Sequence, residues 1–164
     1  MSVEFEDYSI QVKGAIKDAA KKWLEEASGE IESQAKRNMP AGQWYAQQKN
    51  AFDHKVNEAA LEAHIGNPME EALWTEYGTG EFAVNGDGRK GYWIYVKGSG
   101  KGGSTGGKSY TLEEAKRVMA MMQADGIDAH ITKGQRPHRP LQSAFTSLKS
   151  ALIRRAENIM KGLG

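Results

Sequence analysis

The chain has 164 residues, the size of one ordinary domain, which can bury on the order of 70% of the surface that its unfolded form exposes. Hydrophobic residues make up 39% and charged residues 26%, with a formal net charge of +1, so the composition excludes a disordered or membrane-spanning protein. The chain has no cysteine, which excludes disulfides and thiolate chemistry. Its acidic amino terminus differs from a secretory signal, so we expect a protein that remains in a cytoplasm.

Two periodic patterns lie in the first part of the chain. Apolar residues recur every three or four positions from about residue 10 to residue 38, which predicts a long amphipathic helix that ends before Pro40. At 1.5 Å per residue this helix would reach roughly 40 Å, longer than a domain of this size needs, so we expect part of its apolar stripe to face a partner. From about 51 to 66, alternating apolar and polar residues predict a β-hairpin.

Glycine dominates the middle of the chain. Residues 78 to 107 contain eleven glycines and are predicted to form loops, except at Tyr92–Lys97, whose aromatic and β-branched side chains favour a strand. Thr111 and Glu114 have the spacing of a capping box and predict the start of a helix. A second strand is predicted at Ile127–Thr132, so we interpret this region as a βαβ unit.

These elements predict an α+β fold in a single domain, residues 1–164. A last amphipathic helix is predicted over about 140–161. We expect the long N-terminal and C-terminal helices to pack on a small mixed sheet. The inserted strand-helix-strand unit and the glycine-rich loops would occupy residues 78–132.

Charge is distributed unevenly along the chain. Residues 41 to 81 contain two lysines and seven acidic residues, whereas residues 133 to 164 contain seven lysines or arginines and one acidic residue. Such runs are often solvated faces of no further consequence. Alternatively, the acidic region of one subunit meets the basic region of the next, a head-to-tail contact that closes into a ring.

One glycine-rich stretch has the pattern of a phosphate-binding loop. Gly102–Ser109 matches G-x-x-x-x-G-K-S, in which backbone amides hold phosphates and the lysine, here Lys108, reaches the outer ones. However, the helix is predicted to begin at Thr111 rather than at Lys108, and glycine-rich loops match this pattern by chance. A flexible loop is therefore the preferred interpretation, and a nucleotide-binding protein is the alternative.

The sequence predicts no catalytic, cofactor-binding or metal-binding residue. None of the histidines has a partner at the spacing of metal ligands; they are His54, His64, His130 and His138. We expect His54 to lie half-buried on one face of a strand, and Glu76 to make a contact rather than act as an acid. The basic C-terminal stretch leaves a DNA-binding accessory protein as a second alternative.

Two motifs near these charged regions resemble a known family. The first is Trp74-Thr75-Glu76-Tyr77-Gly78-Thr79-Gly80, which looks like an aromatic-Glu-aromatic-Gly-Thr-Gly signature. The second is Arg136-Pro137-His138-Arg139-Pro140-Leu141 with Ala144-Phe145, which is similar to an Arg-Pro, Pro-apolar-apolar, Ala-Phe ending. In this order, after a long helix and a strand pair, the chain resembles the head-tail joining or tail-completion neck proteins of long-tailed bacteriophages.

The resemblance implies a structural virion protein without enzymatic activity or cofactor. It would be located in the neck of the virion, after assembly in the bacterial host cytoplasm, as a homo-oligomeric ring of six subunits. Its partners would be the head-completion or connector protein and the tail terminator or tail tube protein, with DNA only as passing cargo. The interface residues implied are Trp74, Glu76, Tyr77, Gly78, Thr79, Gly80, Arg136, Pro137, Arg139, Pro140 and Leu141.

Overall fold

The structure, a computed structural model, describes residues 8–97 and 107–162. Helices and short strands occur together in these ranges, which confirms the predicted α+β class. The α-helices are α1 (Ser9–Asn38), α2 (Gln43–Asn50), α3 (Glu70–Tyr77), α4 (Leu112–Ala124) and α5 (Pro140–Lys161). The strands are β1 (Asp53–Asn57), β2 (Glu62–Gly66), β3 (Trp93–Val96) and β4 (Ala129–Thr132), and a turn of 3-10 helix spans Gly80–Phe82.

The chain divides into two compact units. The first unit comprises the described residues up to Met69 together with those from Pro140 onward, and it contains α1, α2, the strands β1 and β2, and α5. The second unit is Glu70–Arg139, with α3, β3, α4 and β4. The second unit is thus an insertion between two parts of the first.

The core of the first unit lies between α1 and α5. On α1, Ala27, Ile31 and Ala35 recur every four residues and are buried, so they form one face of the helix. They pack with the buried Ala144 and Leu152 of α5. The small alanine side chains on both helices permit a close approach of the two backbones.

Polar contacts fix the antiparallel arrangement of these two helices. At one end, the Asn38 side-chain amide donates to the carbonyl of Pro140 at 3.1 Å. Further along, the guanidinium of Arg155 donates to both carboxylate oxygens of Glu30, at 2.5 and 3.3 Å. Both side chains are partly exposed to solvent, by 40% and 41%, so the pair contributes to register more than to stability.

The first turns of α1 present apolar side chains to solvent. Tyr8, Ile10 and Val12 are exposed, Ile10 by 80% of its surface. The core residues of α1 begin only at Ala27. The exposed part of the apolar stripe thus lies in the first three turns of α1. That this part faces a partner stays a prediction.

The hairpin of β1 and β2 packs on α1. The strands are antiparallel, with Asp53 opposite Gly66 and Asn57 opposite Glu62. In the turn, the Asn57 side-chain oxygen accepts from the backbone amides of Ala59 and Ala60 at 3.1 and 3.2 Å. Hydrogen bonds from backbone amides to an asparagine side chain stabilise a turn, which explains why the chain reverses after Asn57.

The predicted mixed sheet and βαβ unit are wrong in strand direction. Among the described residues the strands form two separate antiparallel pairs, β1 with β2 and β3 with β4. The reason lies in Tyr110, which exchanges two backbone hydrogen bonds with Tyr92, at 3.0 and 2.8 Å. The chain is therefore back at the start of β3 before α4 begins. After α4, β4 begins with Ala129 opposite Val96 and runs back along β3.

The capping box that opens α4 should make stability depend on pH. The backbone amide and the hydroxyl of Thr111 donate to the Glu114 carboxylate at 2.8 and 2.9 Å and hold the pKa of Glu114 below its ordinary value. A carboxyl group with a lower pKa in the folded state stabilises that state above its unfolded pKa, and the effect is lost as pH falls through the folded value. Glu114→Gln should therefore be less stable than the wild type at pH 7, with a difference that shrinks below about pH 4.

Urea unfolding of both proteins at several pH values measures this difference. The matched control is Glu113→Gln, since Glu113 lies on the same turn and makes only an exposed pair with Lys116 at 3.2 Å, which contributes little at any pH. A Glu114→Gln deficit of constant size from pH 7 to pH 3 would contradict the linkage.

Candidate functional site

Helix α3 buries small side chains and exposes large apolar ones, which is the opposite of a usual surface helix. Its small residues Ala72 and Thr75 are buried, while Leu73, Trp74 and Tyr77 are exposed by 57%, 37% and 52%. The spacing of these three residues places them on one side of the helix. We call them the α3 face. The hydroxyl of Thr75 donates to the carbonyl of Glu71 at 3.1 Å, so its burial leaves no unsatisfied donor.

The chain after α3 lies against a distant segment of the same unit. We call Gly78–Phe82 the docked turn and Lys133–Arg139 the return segment. The backbone amide of Thr79 donates to the carbonyl of Gln135 at 2.9 Å, and the amide of Gln135 donates to the Thr79 hydroxyl at 2.9 Å. The amide of Glu81 donates to the carbonyl of Lys133 at 3.0 Å. These bonds join the end of the first motif, and the residue after it, to the residues that precede the second motif.

Glycine is required where the docked turn and the return segment meet. A Cβ atom on Gly80 would lie 2.3 Å from the carbonyl oxygen of Lys133 and 2.5 Å from the indole of Trp93. One on Gly134 would lie 2.0 Å from the carbonyl oxygen of Thr79, and one on Gly78 would lie 2.8 Å from that of Gln135. Gly78 and Gly80 also have positive φ angles of 72° and 60°. The lack of space for a Cβ atom and, at Gly78 and Gly80, the positive φ angle therefore both disfavour larger residues.

The return segment also fixes the end of α3. The carbonyl of Thr75 accepts from the amides of His138 and Arg139, at 2.8 and 3.4 Å. These amides satisfy a carbonyl in the last turn that has no partner within the helix. Arg139 has a φ of 51°, which is uncommon for a residue with a side chain, and it immediately precedes α5. The surrounding hydrogen bonds hold it in this conformation.

Two basic side chains of the return segment, those of Lys133 and Arg136, are engaged within the unit. The Arg136 guanidinium and the Lys133 ammonium lie 4.7 and 5.3 Å from the centre of the Phe82 ring. Lys133 also pairs with the carboxylate of Glu81 at 3.3 Å. A part of the opposed charge along the sequence is therefore paired inside one chain.

The structure brings together most of the predicted interface residues. Those from Trp74 to Gly80 and from Arg136 to Arg139 meet in the second unit, whereas Pro140 and Leu141 begin α5 in the first. Pro140 is buried at the first helical position, which suits its fixed φ angle and missing amide proton.

Three residues of this site are absent from the interface residues that the sequence implied. Leu73 is the most exposed member of the α3 face, and its four-residue spacing from Tyr77 is the signal that could have identified it. Gly134 contacts Gly80, and a Cβ on Gly88 would lie 2.0 Å from the Gly80 carbonyl oxygen. For these two glycines the sequence carries no signal beyond the residue type.

The phosphate-binding pattern lies partly outside the described residues. Gly102–Gly106 lie outside the described residues, whereas Gly107, Lys108 and Ser109 are described and exposed. Helix α4 begins at Leu112 with Thr111 as its cap, so Lys108 precedes the helix. In a phosphate-binding loop the lysine and the serine or threonine open the helix, whose first amides point at the phosphates.

A cluster of possible metal ligands lies in the first unit. Glu32, Asp53 and His54 each offer one ligand atom, and these atoms lie within 4.8 Å of one another. The hydrogen bond to Glu32 raises the pKa of His54 above its ordinary value, and Glu25 adds to this effect. The pKa of Glu32 is lowered, first by its hydrogen bond with Lys36 and also by that with His54.

Comparison of the chain with protein-family models, with curated proteins and with solved structures gives no match. In the described ranges, none of the helices is both long enough and apolar enough to cross a lipid bilayer. A functional assignment therefore has to rest on the residues of this chain and their geometry.

Substitution of Gly80 by alanine should loosen the docked turn. Left-handed backbone strain costs about 1 kcal/mol for alanine, and the clash with Lys133 and Trp93 should cost about 1–3 kcal/mol more. The matched control is Gly86→Ala, because Gly86 has a similar φ of 72° but no atom within 4 Å of an added Cβ. Urea unfolding followed by circular dichroism measures both. Equal destabilisation of the two variants would show that close backbone approach does not hold this turn.

Proposed function

We propose that this chain is a non-catalytic structural subunit of a bacteriophage neck, which forms a homo-oligomeric ring and joins the head connector to the tail. The observation that carries the proposal is the α3 face, three large apolar side chains held outward by the docked turn. The docked turn and the return segment, which support this helix, overlap the two motifs in which the chain resembles neck proteins. The proposal therefore rests on sequence resemblance and on geometry at the same residues.

The α3 face has the properties of a protein-binding surface. Leu73, Trp74 and Tyr77 are exposed side by side, and aromatic residues with a polar tip are favoured at interfaces. The helix beneath them is fixed at its end by the return segment, through the carbonyl of Thr75. A rigid surface loses less conformational entropy on binding, which favours affinity.

A ring also requires that each subunit present a second, different surface. Subunits related head to tail bind through two non-equivalent patches, and the contact closes when the rotation between them does. The first unit has its own exposed apolar residues: Tyr8 just before α1, Ile10 and Val12 on α1, and Phe145 and Ile153 on α5. These are the natural candidates for contacts other than those of the α3 face.

The proposed partners are the head-completion or connector protein on one side and the tail terminator or tail tube protein on the other. DNA would pass through the ring as cargo. The basic residues Lys133 and Arg136 are already engaged with Phe82, which favours a structural role for them over recognition of phosphates.

A charged residue in the α3 face should prevent assembly without unfolding the chain. In a phage whose copy of this gene is disrupted, complementation with Leu73→Asp should give at least about tenfold fewer joined particles, because a buried unpaired carboxylate opposes association. The control is Met121→Asp, on α4 of the same unit, since Met121 is exposed by 61% and Leu73 by 57%. Electron microscopy counts joined and separate particles, and circular dichroism checks folding.

Two outcomes would contradict this proposal in different ways. If the disrupted phage makes normal joined particles, the chain is not a neck component. If disruption leaves separate heads and tails but Leu73→Asp restores joining as well as the wild type does, the chain acts in the neck through another surface.

Replacement of Lys108 by alanine should leave joining unchanged. The described geometry places Lys108 before the α4 cap, where it is exposed and does not open a helix. The same complementation assay measures joining, and calorimetric titration with ATP and GTP measures binding. Micromolar nucleotide affinity that Lys108→Ala abolishes would favour the nucleotide-binding alternative instead.

A further inference from the structure

The cluster around His54 is built by two elements of the first unit. Glu25, Gly29, Glu32 and Lys36 recur at spacings of three and four residues, so they lie on one face of α1. Strand β1 crosses this face and supplies His54, whose ring lies over Gly29, with 3.7 Å between its Cε1 atom and the position of an added Cβ. The Nδ1 atom of His54 makes a hydrogen bond with Oε2 of Glu32.

We propose that this cluster is a binding site for a divalent transition metal ion of the zinc class. The ligands would be Nδ1 of His54, Oε2 of Glu32 and a carboxylate oxygen of Asp53. One imidazole and two carboxylates form a nitrogen and oxygen donor set that suits zinc and its neighbours. The site is independent of the proposed role in the neck.

The ligand atoms would have to adjust on binding, because Nδ1 of His54 and Oε2 of Glu32 now share a hydrogen bond and would separate around the ion. Ligand atoms about 2.0–2.2 Å from zinc lie roughly 3.4 Å from one another in tetrahedral geometry. In the structure the three atoms lie within 4.8 Å of one another. Asp53 is exposed, so its carboxylate can turn toward the other two ligands without loss of packing. Coordination would leave a further position open to water.

The groups around the ligands already have the arrangement of an outer shell. A metal-binding histidine usually donates its other ring N–H to a carboxylate, which orients the ring. Here Nε2 of His54 faces Oε1 of Glu25 at 3.3 Å. The ammonium of Lys36 bonds to Oε1 of Glu32, which leaves Oε2 directed at His54. Each of these two ligands is thus oriented by a partner at its other polar atom. The ion would replace the hydrogen bond between Nδ1 and Oε2, and the proton in that bond would leave to solvent.

The local charge also favours a divalent cation. The carboxylates of Glu25 and Glu32 bond to the imidazole, and that of Asp53 lies within 4.8 Å of the other two ligand atoms. Lys36 supplies one ammonium against these three carboxylates. A bound ion would link β1 to α1 directly. Because the ligands come from both elements, metal binding would stabilise the first unit against unfolding.

Calorimetric titration of the full chain with ZnCl2 tests the proposal. The protein must carry no polyhistidine tag, which would itself bind zinc. We expect one ion per chain, and visible absorption bands when cobalt(II) replaces zinc as a spectroscopic probe. Glu25→Gln should weaken binding by about 10- to 100-fold, as outer-shell changes do. Asp53→Asn should weaken it at least as much, and His54→Gln should abolish it.

The control variant is His64→Gln. His64 lies on β2 of the same hairpin, is exposed and has a carboxylate neighbour, Glu62, at 3.8 Å. Its replacement should leave zinc affinity unchanged. Zinc affinity weaker than about 1 mM, or an equal loss of affinity in His64→Gln and His54→Gln, would overturn the proposal. If His54→Gln does not fold, wild-type affinity in both Asp53→Asn and Glu25→Gln would overturn it.

Discussion

At Gly80 and Gly134 two backbone segments approach so closely that neither position has room for a Cβ atom. Only at this distance can Thr79 exchange hydrogen bonds with Gln135 and Glu81 reach the carbonyl of Lys133. The same contact brings the amide of His138 to the last turn of α3. The orientation of the α3 face, and with it the proposed function, therefore depends on two residues that contribute no side chain.

Local patterns predicted the elements of this fold more closely than their arrangement. The periodicity of α1, the alternation in the hairpin and the capping box at Thr111 are determined by neighbours in sequence, and each corresponds to an observed element. The direction of β4 is not determined in this way. It follows from the bridge between Tyr92 and Tyr110, a contact that no periodicity encodes. For this reason the βαβ unit predicted from the strand-helix-strand order was wrong in strand direction.

The same distinction applies to the two candidate sites. The motifs at Trp74–Gly80 and Arg136–Arg139 could be singled out by resemblance, but the hydrogen bonds between them depend on the tertiary fold. The cluster at His54 escaped prediction because its partner Glu32 lies 22 positions away on another element. The spacing of metal ligands along a sequence can reveal a site whose ligands lie on one element. The ligands at His54 come from two elements, and they meet only because the hairpin packs across α1.

The insertion of the second unit also affects how the first can form. Helix α5 follows the hairpin only after the intervening residues 70–139, and closing a flexible loop of that length costs conformational entropy. Thr75 and His138 are joined by a hydrogen bond of 2.8 Å, so the folded insertion behaves as a much shorter connection. Replacing roughly 70 flexible residues by about 8 lowers the closure cost by about 2 kcal/mol. The connectivity therefore favours a folding order in which the insertion forms first and α5 then joins α1.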